Sequence, residues 1–526
     1  MPSHSEPATQ QAHQLAAAVG AQLYPASVIS RDGALFCLLR QGQEKHLAIF
    51  SPGERLPVGG FHGEPQGTLS GGWRYWRCPR DATNARALRG AFPWLAPQRL
   101  GVARSVGCGD RLGLATPGHV RSVAKTFLDP DTGQERPGMR PIFAQQSIRE
   151  NSRTGRTPQE VLDDAMWGVF QAGWRRGYGA DADHLKSRED VDATLAAGYT
   201  FFTVDPGEHV DGQADHLRGA ALQERLEALP WDLLEDSLAD LRRRYLGHTF
   251  HLGSLALTFD PESLAVAAVK YGRAVAHTAA LYRHLLAQAG PEGFELEMSV
   301  DETETPTRHL EHLYIATELK RLGVRWVSLA PRFVGRFEKG VDYMGDDGRT
   351  SPEALARFRQ DLAGHVAIAQ ALGPYKLSLH SGSDKFSIYP IVAQEAGSLV
   401  HLKTAGTSYL EALRAVAQVA PELFRAIYAF ARERYPEDRA TYHVSAQVAR
   451  MPDPATIPDG ELPGVLDQFD ARQALHVTFG SVLNARGPDG SLRFKPALLA
   501  ILDRHEEEHY AALERHFDRH LGSFVG

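Results

Sequence analysis

Three short stretches of the chain gather imidazole, carboxylate and amine side chains: Asp181-Ala182-Asp183-His184-Leu185-Lys186, His380-Ser381-Gly382-Ser383-Asp384-Lys385 and His401-Leu402-Lys403-Thr404. Asp205, followed by Glu208 and His209, adds to them, as do Glu297, Asp301 and Glu302 within Phe294–Glu302. Neutral imidazoles and carboxylates drawn from separate segments can hold one divalent cation and leave positions open to substrate oxygens. His184, His380 and His401 are the expected ligands. Glu297, Asp205 and His209 stand in reserve, because no HxH or HxxxH spacing joins these residues and fixes the set. Asp183, beside His184, and Glu302, near Glu304, offer carboxylates from different segments for a general base and a general acid. Arg149, Lys186, Arg332, Lys339, Lys385 and Lys403, with Ser383 in the same loop as Lys385, are the groups expected to bind a substrate, the arginines gripping a carboxylate in fork geometry. A single histidine in a strand is more often a satisfied core group, and a single acid at a loop more often caps a helix. The gathering of several such residues shifts that balance.

These residues sit where short apolar runs end. Eight such runs alternate with long amphipathic stretches from residue 101 onward: Ala103–Gly107, Pro141–Ser147, Tyr178–His184, Thr200–Asp205, Phe294–Val300, Arg325–Ala330, Tyr375–His380 and Leu399–Thr404. That alternation marks repeated βα units, and eight of them predict a TIM-type (β/α)8 barrel of the α/β class, whose chemistry lies at the C-terminal ends of the strands. Strand alternation then sorts the faces. Leu377 and Leu379 pack outward while Lys376, Ser378 and His380 face inward. Leu296, Met298 and Val300 pack outward against inward Glu297, Ser299 and Asp301, and His401 and Lys403 turn inward by the same parity. The helices between carry their own signals. Thr157-Pro158-Gln159-Glu160 reads as a capping box with proline at the first helical position, and Asp260-Pro261, Thr305-Pro306 and Ser351-Pro352 repeat cap and proline. Gly198, Gly290, Gly323 and Gly373 stand at the expected stops.

The rest of the chain frames this barrel. Residues 1–100 read as a small β-rich subdomain with strand-like pieces at Ser27–Ser30, Ala34–Leu39 and His46–Phe50, and 101–430 as the catalytic barrel. An insertion at 206–290, roughly ninety residues and longer than an ordinary βα connection, carries His209, His248 and His251 and is expected to act as a lid. Residues 431–526 form a helical extension that covers the barrel or mediates self-association into a homo-oligomer. The 57 basic and 64 acidic residues give a net charge of -7, which excludes the basic stripe of a nucleic-acid binder. Three cysteines, Cys37, Cys78 and Cys108, without CxxC spacing argue against a disulfide framework or a cysteine zinc site and for the cytoplasm. The polar start MPSHSEPATQQAHQ and the lack of a long apolar run signal neither export nor a membrane span. GxGxxG, the P-loop and the GxSxG elbow are all missing, so neither nucleotide-dependent chemistry nor a serine hydrolase is expected.

The ordered blocks GCGDRLGLATPGHV, AQQSIREN with RTP, GADADHLK, FTVDPGEHVD, EMSVDETETPT, LAPRFVGRFEKGVDY, LHSGSDKFSIYP and HLKTAGTSYLEALR resemble the tagaturonate epimerase family across residues 105–415. The resemblance implies interconversion of D-tagaturonate and D-fructuronate in hexuronate catabolism, with one divalent cation (Mn, Fe, Co, Ni or Zn) in the barrel. Carried over by position, it implies Asp183 as proton acceptor, Glu302 as proton donor, and His184, His380 and His401 as metal ligands. The inverted carbon lies β to the ketone, so direct enolisation does not acidify its hydrogen. A retro-aldol step answers this: the hydroxyl loses its proton, the adjacent carbon bond breaks, and the resulting aldehyde rotates before the enediolate adds back. The competing expectations are a 4-epimerase of neutral ketoses such as fructose and tagatose, a metal-dependent aldolase whose fragments escape, and a sugar-acid binding protein without catalysis.

Overall fold

The computed structural model describes residues 6–56, 59–129 and 132–525. Among them, all eight expected runs are strands, and they close into a parallel barrel: Ser105–Gly107, Arg140–Ser147, Gly179–Leu185, Phe201–Val204, Glu295–Ser299, Ser328–Ala330, Lys376–Leu379 and Val400–Lys403. The eighth strand returns to the first with His401 opposite Ser105 and Lys403 opposite Gly107. Leu296, Met298, Leu377, Leu379, Val400 and Leu402 are buried in the hydrophobic core. The alternate positions Glu297, Ser299, Lys376, Ser378, His401 and Lys403 are just as buried, so this barrel has a polar interior where branched apolar side chains usually fill the layers. Burying such groups is costly unless each finds a partner.

Local chemistry sets the helix ends. Thr157 and Glu160 complete the capping box of helix Pro158–Ala172, Asp260 caps Pro261–Ala289, and Ser351 caps Pro352–Leu372. Gly198 ends Arg188–Ala197 at φ 103°, a left-handed conformation that glycine adopts without steric penalty. Thr305-Pro306 departs from expectation. Its helix starts later, at His309, because the Thr305 hydroxyl is held between Asp215, 2.6 Å away, and the Lys270 ammonium, 2.8 Å away.

The N-terminal residues form a six-stranded sheet that includes Ile29–Arg31, Ala34–Gln41 and Glu44–Ser51. Leu35, Cys37 and Leu39 on one face bury helix Glu6–Ala18. Phe36 and Leu38 on the other face join the core of the barrel. The expected lid between strands four and five is smaller than its length suggested. Helix Pro261–Ala289 packs between Arg188–Ala197 and His309–Arg321 as the barrel's own fourth helix. The hairpin Thr249–Leu252 with Leu255–Thr258, which carries His251, rests on helices His309–Arg321 and Pro352–Leu372. Past strand eight, helices Thr407–Val419, Pro421–Asp438, Phe469–Val477, Phe479–Asn484 and Lys495–Arg504 share a second hydrophobic core. The last helix, Glu506–Leu521, returns to pack on Thr116–Phe127 and Thr407–Val419. No helix among the described residues is long and apolar enough to cross a membrane.

Candidate active site

Strict alternation would send Asp183 into the barrel and His184 out of it. The strand pairing breaks that rule: Phe202 lies opposite Ala182, but Val204 lies opposite Leu185, so strand three carries one extra residue. This bulge, with His184 at φ 54°, turns both adjacent side chains to the same site. A non-glycine residue held there stores about 1–3 kcal/mol of strain, a cost typical of functional positions. His184 Nδ1 lies 3.1 Å from Asp205 Oδ2 and its Nε2 lies 3.8 Å from Asp183 Oδ1.

His380 faces it from the end of strand seven, the two rings 5.1 Å apart at 72°. His380 Nε2 is 2.8 Å from Glu297 Oε1 and its Nδ1 is 3.1 Å from Asp301 Oδ1. Burial lowers the affinity of both imidazoles for a proton, but the surrounding carboxylates outweigh it. Asp183, Asp205 and Asp301 raise His184 to about 9. His380, opposed also by Lys403, is raised to about 10 by Asp301 and Glu297. Desolvation opposes ionisation of Asp183, Glu297 and Asp301 as well, yet the cations around them hold all three below the usual carboxylate range.

One layer deeper, the Lys403 ammonium sits 2.6 Å from Asp183, 2.9 Å from Asp181 and 2.9 Å from Glu297, and donates to Thr203 Oγ1 at 2.8 Å. It is 3 % exposed and ties two carboxylates of strand three to one of strand five. His401 lies lower still. Its Nδ1 meets Ser105 Oγ at 2.9 Å, and its Nε2 is 3.8 Å from Asp181. The group whose ligand atoms lie within 4.8 Å of one another is Asp183, His184 and His380, and His401 is not part of it. The parity that turned His401 inward holds, but its position near the start of its strand leaves it in the floor.

A divalent cation fits the upper layer. Asp183, His184 and His380 supply one carboxylate oxygen and two ring nitrogens, a donor set suited to first-row metals. Buried Glu297 Oε2 and Gln145 Oε1 have no hydrogen-bond partner, and a divalent cation would replace the protons that Asp183, Asp205, Glu297 and Asp301 hold on His184 and His380. His184, Asp205 and Glu302 form an overlapping group within the same reach.

Above this layer a small polar cavity, which includes Asp183, His184, Gln145 and Lys403, adjoins a larger one of about 560 Å³. Arg149, Lys339, His380, Ser381 and Tyr442 line both. Glu302 and Arg332 line the larger one, and Arg149 Nη2 donates to Glu302 at 2.8 Å. Other expected binding residues lie elsewhere. Lys385 is fully buried and its ammonium donates to the carbonyls of Glu338, Val341 and Ser383, so it braces its loop. Ser383 is buried under that loop and lines neither cavity. Lys186 is half exposed, paired with Glu208 at 3.0 Å beyond the cavity walls. His209 stacks on His277 at 4.1 Å rather than on the site. Arg336 and the segment Thr441–Ser445 line the larger cavity and were not anticipated. Arg336 repeats Arg332 at a spacing of four in LAPRFVGRF, a readable sign. Tyr442 arrives from the distant helical region, which no local pattern reveals.

The family model for tagaturonate epimerase matches residues 24–524. The chain belongs to the tagaturonate epimerase family. A tagaturonate/fructuronate epimerase of Thermotoga maritima is 41% identical over 507 residues, spanning 96% of this chain and 98% of that protein. Crystal structures of a fructuronate-tagaturonate epimerase from Cohnella laeviribosi superpose with a TM-score of 0.87 at 36% identity. The native form covers 99% of each chain, and a form with one glycerol covers 98% of this chain and 99% of that one. As a member of the tagaturonate epimerase family the chain is an isomerase.

Proposed function

We propose that this protein interconverts D-tagaturonate and D-fructuronate at the barrel mouth, in the cytoplasm, with one divalent cation held by His184 and His380 and with Asp183 in reach. The observation that carries the reading is the convergence of two imidazoles and an ionised carboxylate from strands three and seven beneath a cavity lined by Arg149, Arg332, Arg336 and Lys339. The cation supplies positive charge next to the substrate's oxygens. Arg332 and Arg336, from the loop after strand six, suit the carboxylate of a sugar acid. Three buried cysteines without a disulfide agree with a reducing compartment. The division into a β-rich subdomain at 1–100, a barrel at 101–430 and a helical extension at 431–526 needs its last boundary moved earlier, because the core of the extension already takes in Thr407–Val419 and Pro421–Asp438, the helix that a boundary at 430 would cut.

The chain's own residues can carry a retro-aldol route. Asp183, kept ionised by His184 and Lys403, takes the proton of the hydroxyl on the inverted carbon. That carbon's bond to its neighbour breaks, the electron pair passes toward the ketone, and an aldehyde and an enediolate remain. The enclosed mouth keeps both fragments in place while the aldehyde turns. The bond re-forms on the other face, and Glu302, oriented by Arg149, returns a proton to the new oxygen. Exchange with solvent at the mouth, where Glu302 is 41% exposed, then takes the proton from Asp183 and returns one to Glu302, so bonds and protons balance without an oxidant.

A proton NMR time course tests the function. Metal-stripped and metal-reloaded protein are given D-tagaturonate beside a His380→Ala variant. Formation of D-fructuronate by the reloaded protein alone supports the reading. Conversion of fructose with tagaturonate untouched would replace it with the neutral-ketose activity, and release of free three-carbon products would replace it with an aldolase.

A further inference from the structure

A second set of histidines lies between two helices on the barrel flank. His309 and His312 open helix His309–Arg321, and Asp361 and His365 stand one turn apart in helix Pro352–Leu372. Residues four apart share a helix face. The Nε2 atoms of His309 and His365 each lie 3.7 Å from Asp361 Oδ1, and the three ligand atoms fall within 4.8 Å of one another. Ligand atoms around a tetrahedral zinc ion stand about 3.3 Å apart, given metal–ligand bonds near 2.0–2.1 Å, so the set needs only a small contraction. Gly364 makes room for it: a Cβ there would stand 2.3 Å from the His309 ring.

His365 is fully buried and its Nε2 makes no hydrogen bond of full geometry. Its Nδ1 is 2.8 Å from His312 Nδ1, and His312 Nε2 is 2.7 Å from the Tyr375 hydroxyl. This chain has two proton arrangements. In one, Tyr375 donates to His312, His312 donates to His365, and His365 Nε2 carries a hydrogen. In the other, His365 Nδ1 donates to His312, His312 Nε2 donates to Tyr375, and His365 Nε2 presents a lone pair. The second is the arrangement of a metal-ligating histidine, whose other ring N–H is held by a partner.

The cluster also supports the substrate-facing loop. The other Asp361 oxygen, Oδ2, accepts the Val334 N–H at 3.2 Å, and the Phe333 ring meets His365 edge-on at 5.5 Å. Thr307 and Arg332 exchange two hydrogen bonds of 2.8 and 3.1 Å. Arg332, Phe333 and Arg336 of this loop line the larger cavity.

We propose that His309, Asp361 and His365 bind a second divalent transition-metal ion of the zinc class, which pins the substrate-facing loop to the barrel flank. Two imidazoles and one carboxylate suit zinc, cobalt or nickel rather than magnesium or calcium, which take oxygen ligands. Water completes the coordination on the side where His309 is 27 % exposed. His309 gives up its present 2.9 Å bond to the Asp361 carbonyl in exchange.

Stripped protein is titrated with zinc chloride and the metal per chain is counted after desalting; cobalt loading reports each site by its visible spectrum. Wild type is expected to hold two ions, and His309→Ala and Asp361→Asn one. Gly364→Ala, which keeps every ligand but displaces the His309 ring, is expected to lose the same ion, its fold checked by circular dichroism. Turnover of His309→Ala should show a raised KM at an unchanged kcat. Equal metal content and one cobalt spectrum in wild type and His309→Ala would overturn the proposal. His380→Ala separates the two sites: it loses the ion at the mouth and keeps the one on the flank, and retention of both ions would count against the mouth alone.

Discussion

Replacing Lys403 with methionine removes the one ammonium that Asp181, Asp183 and Glu297 share, at 2.9, 2.6 and 2.9 Å. Methionine fills the space, so packing is largely kept and the lost term is electrostatic. Removing one partner from a buried ionic network costs about 3–5 kcal/mol, and no discount for solvent applies to a side chain that is 3 % exposed. With an unfolding entropy of about 2.1 cal/mol/K per residue, cooperative unfolding of 526 residues carries roughly 1.1 kcal/mol/K, so melting should fall by about 3–5 °C. Asp183 keeps His184 but loses the second of the cations that hold it ionised, so kcat should fall with it. Differential scanning calorimetry and initial rates on the sugar acid measure both effects. Asp181→Asn added to the Lys403→Met background should recover part of the lost melting temperature, because one of the stranded carboxylates is then neutral. An unchanged melting temperature with a raised KM alone would refute this reasoning and return Lys403 to the role of a substrate-binding group.

Lys385→Met should lower stability by about 1–3 kcal/mol, the cost of leaving buried carbonyls without their donor, with KM unchanged; calorimetry and steady-state kinetics check the pair. Arg332→Met should raise KM for the sugar acid roughly ten- to hundredfold, as expected for a charged hydrogen bond of about 1.5–3 kcal/mol, and leave any turnover of a neutral ketose unaffected. Metal analysis separates the three expected histidines: His184→Ala and His380→Ala should lose the ion at the mouth, whereas His401→Ala, placed in the floor, should keep it. Chelation should abolish turnover by wild type, and reloading with manganese, cobalt, nickel or zinc should restore it, as followed by NMR.

The barrel was readable because its signals are local. Capping residues, strand alternation and βα spacing each act within a few residues, and the eight runs that they mark all became strands. The same alternation correctly turned Glu297, His380, His401 and Lys403 inward. It could not give height along the barrel axis, which depends on how each strand is sheared against its neighbours, and this separates His380 at the rim from His401 in the floor. Nor could it give the bulge at His184, where strand pairing overrides the two-residue period so that adjacent Asp183 and His184 share one site. Lys385 shows a third limit. Its place in HSGSDK matches a substrate-binding amine, but the three carbonyls that hold it come from its own loop and from the loop after strand six. Tyr442 reaches the mouth only through the packing of the helical region, a relation between segments far apart in the chain.

The most direct test of the account is epimerisation run in deuterium oxide with metal-reloaded protein and D-tagaturonate, the product read by proton and carbon NMR. The account predicts D-fructuronate that retains protium on the inverted carbon, because the bond that breaks joins two carbons and the C–H bond stays intact. Deuterium at that carbon, or tagaturonate left unchanged by the reloaded protein, would contradict it.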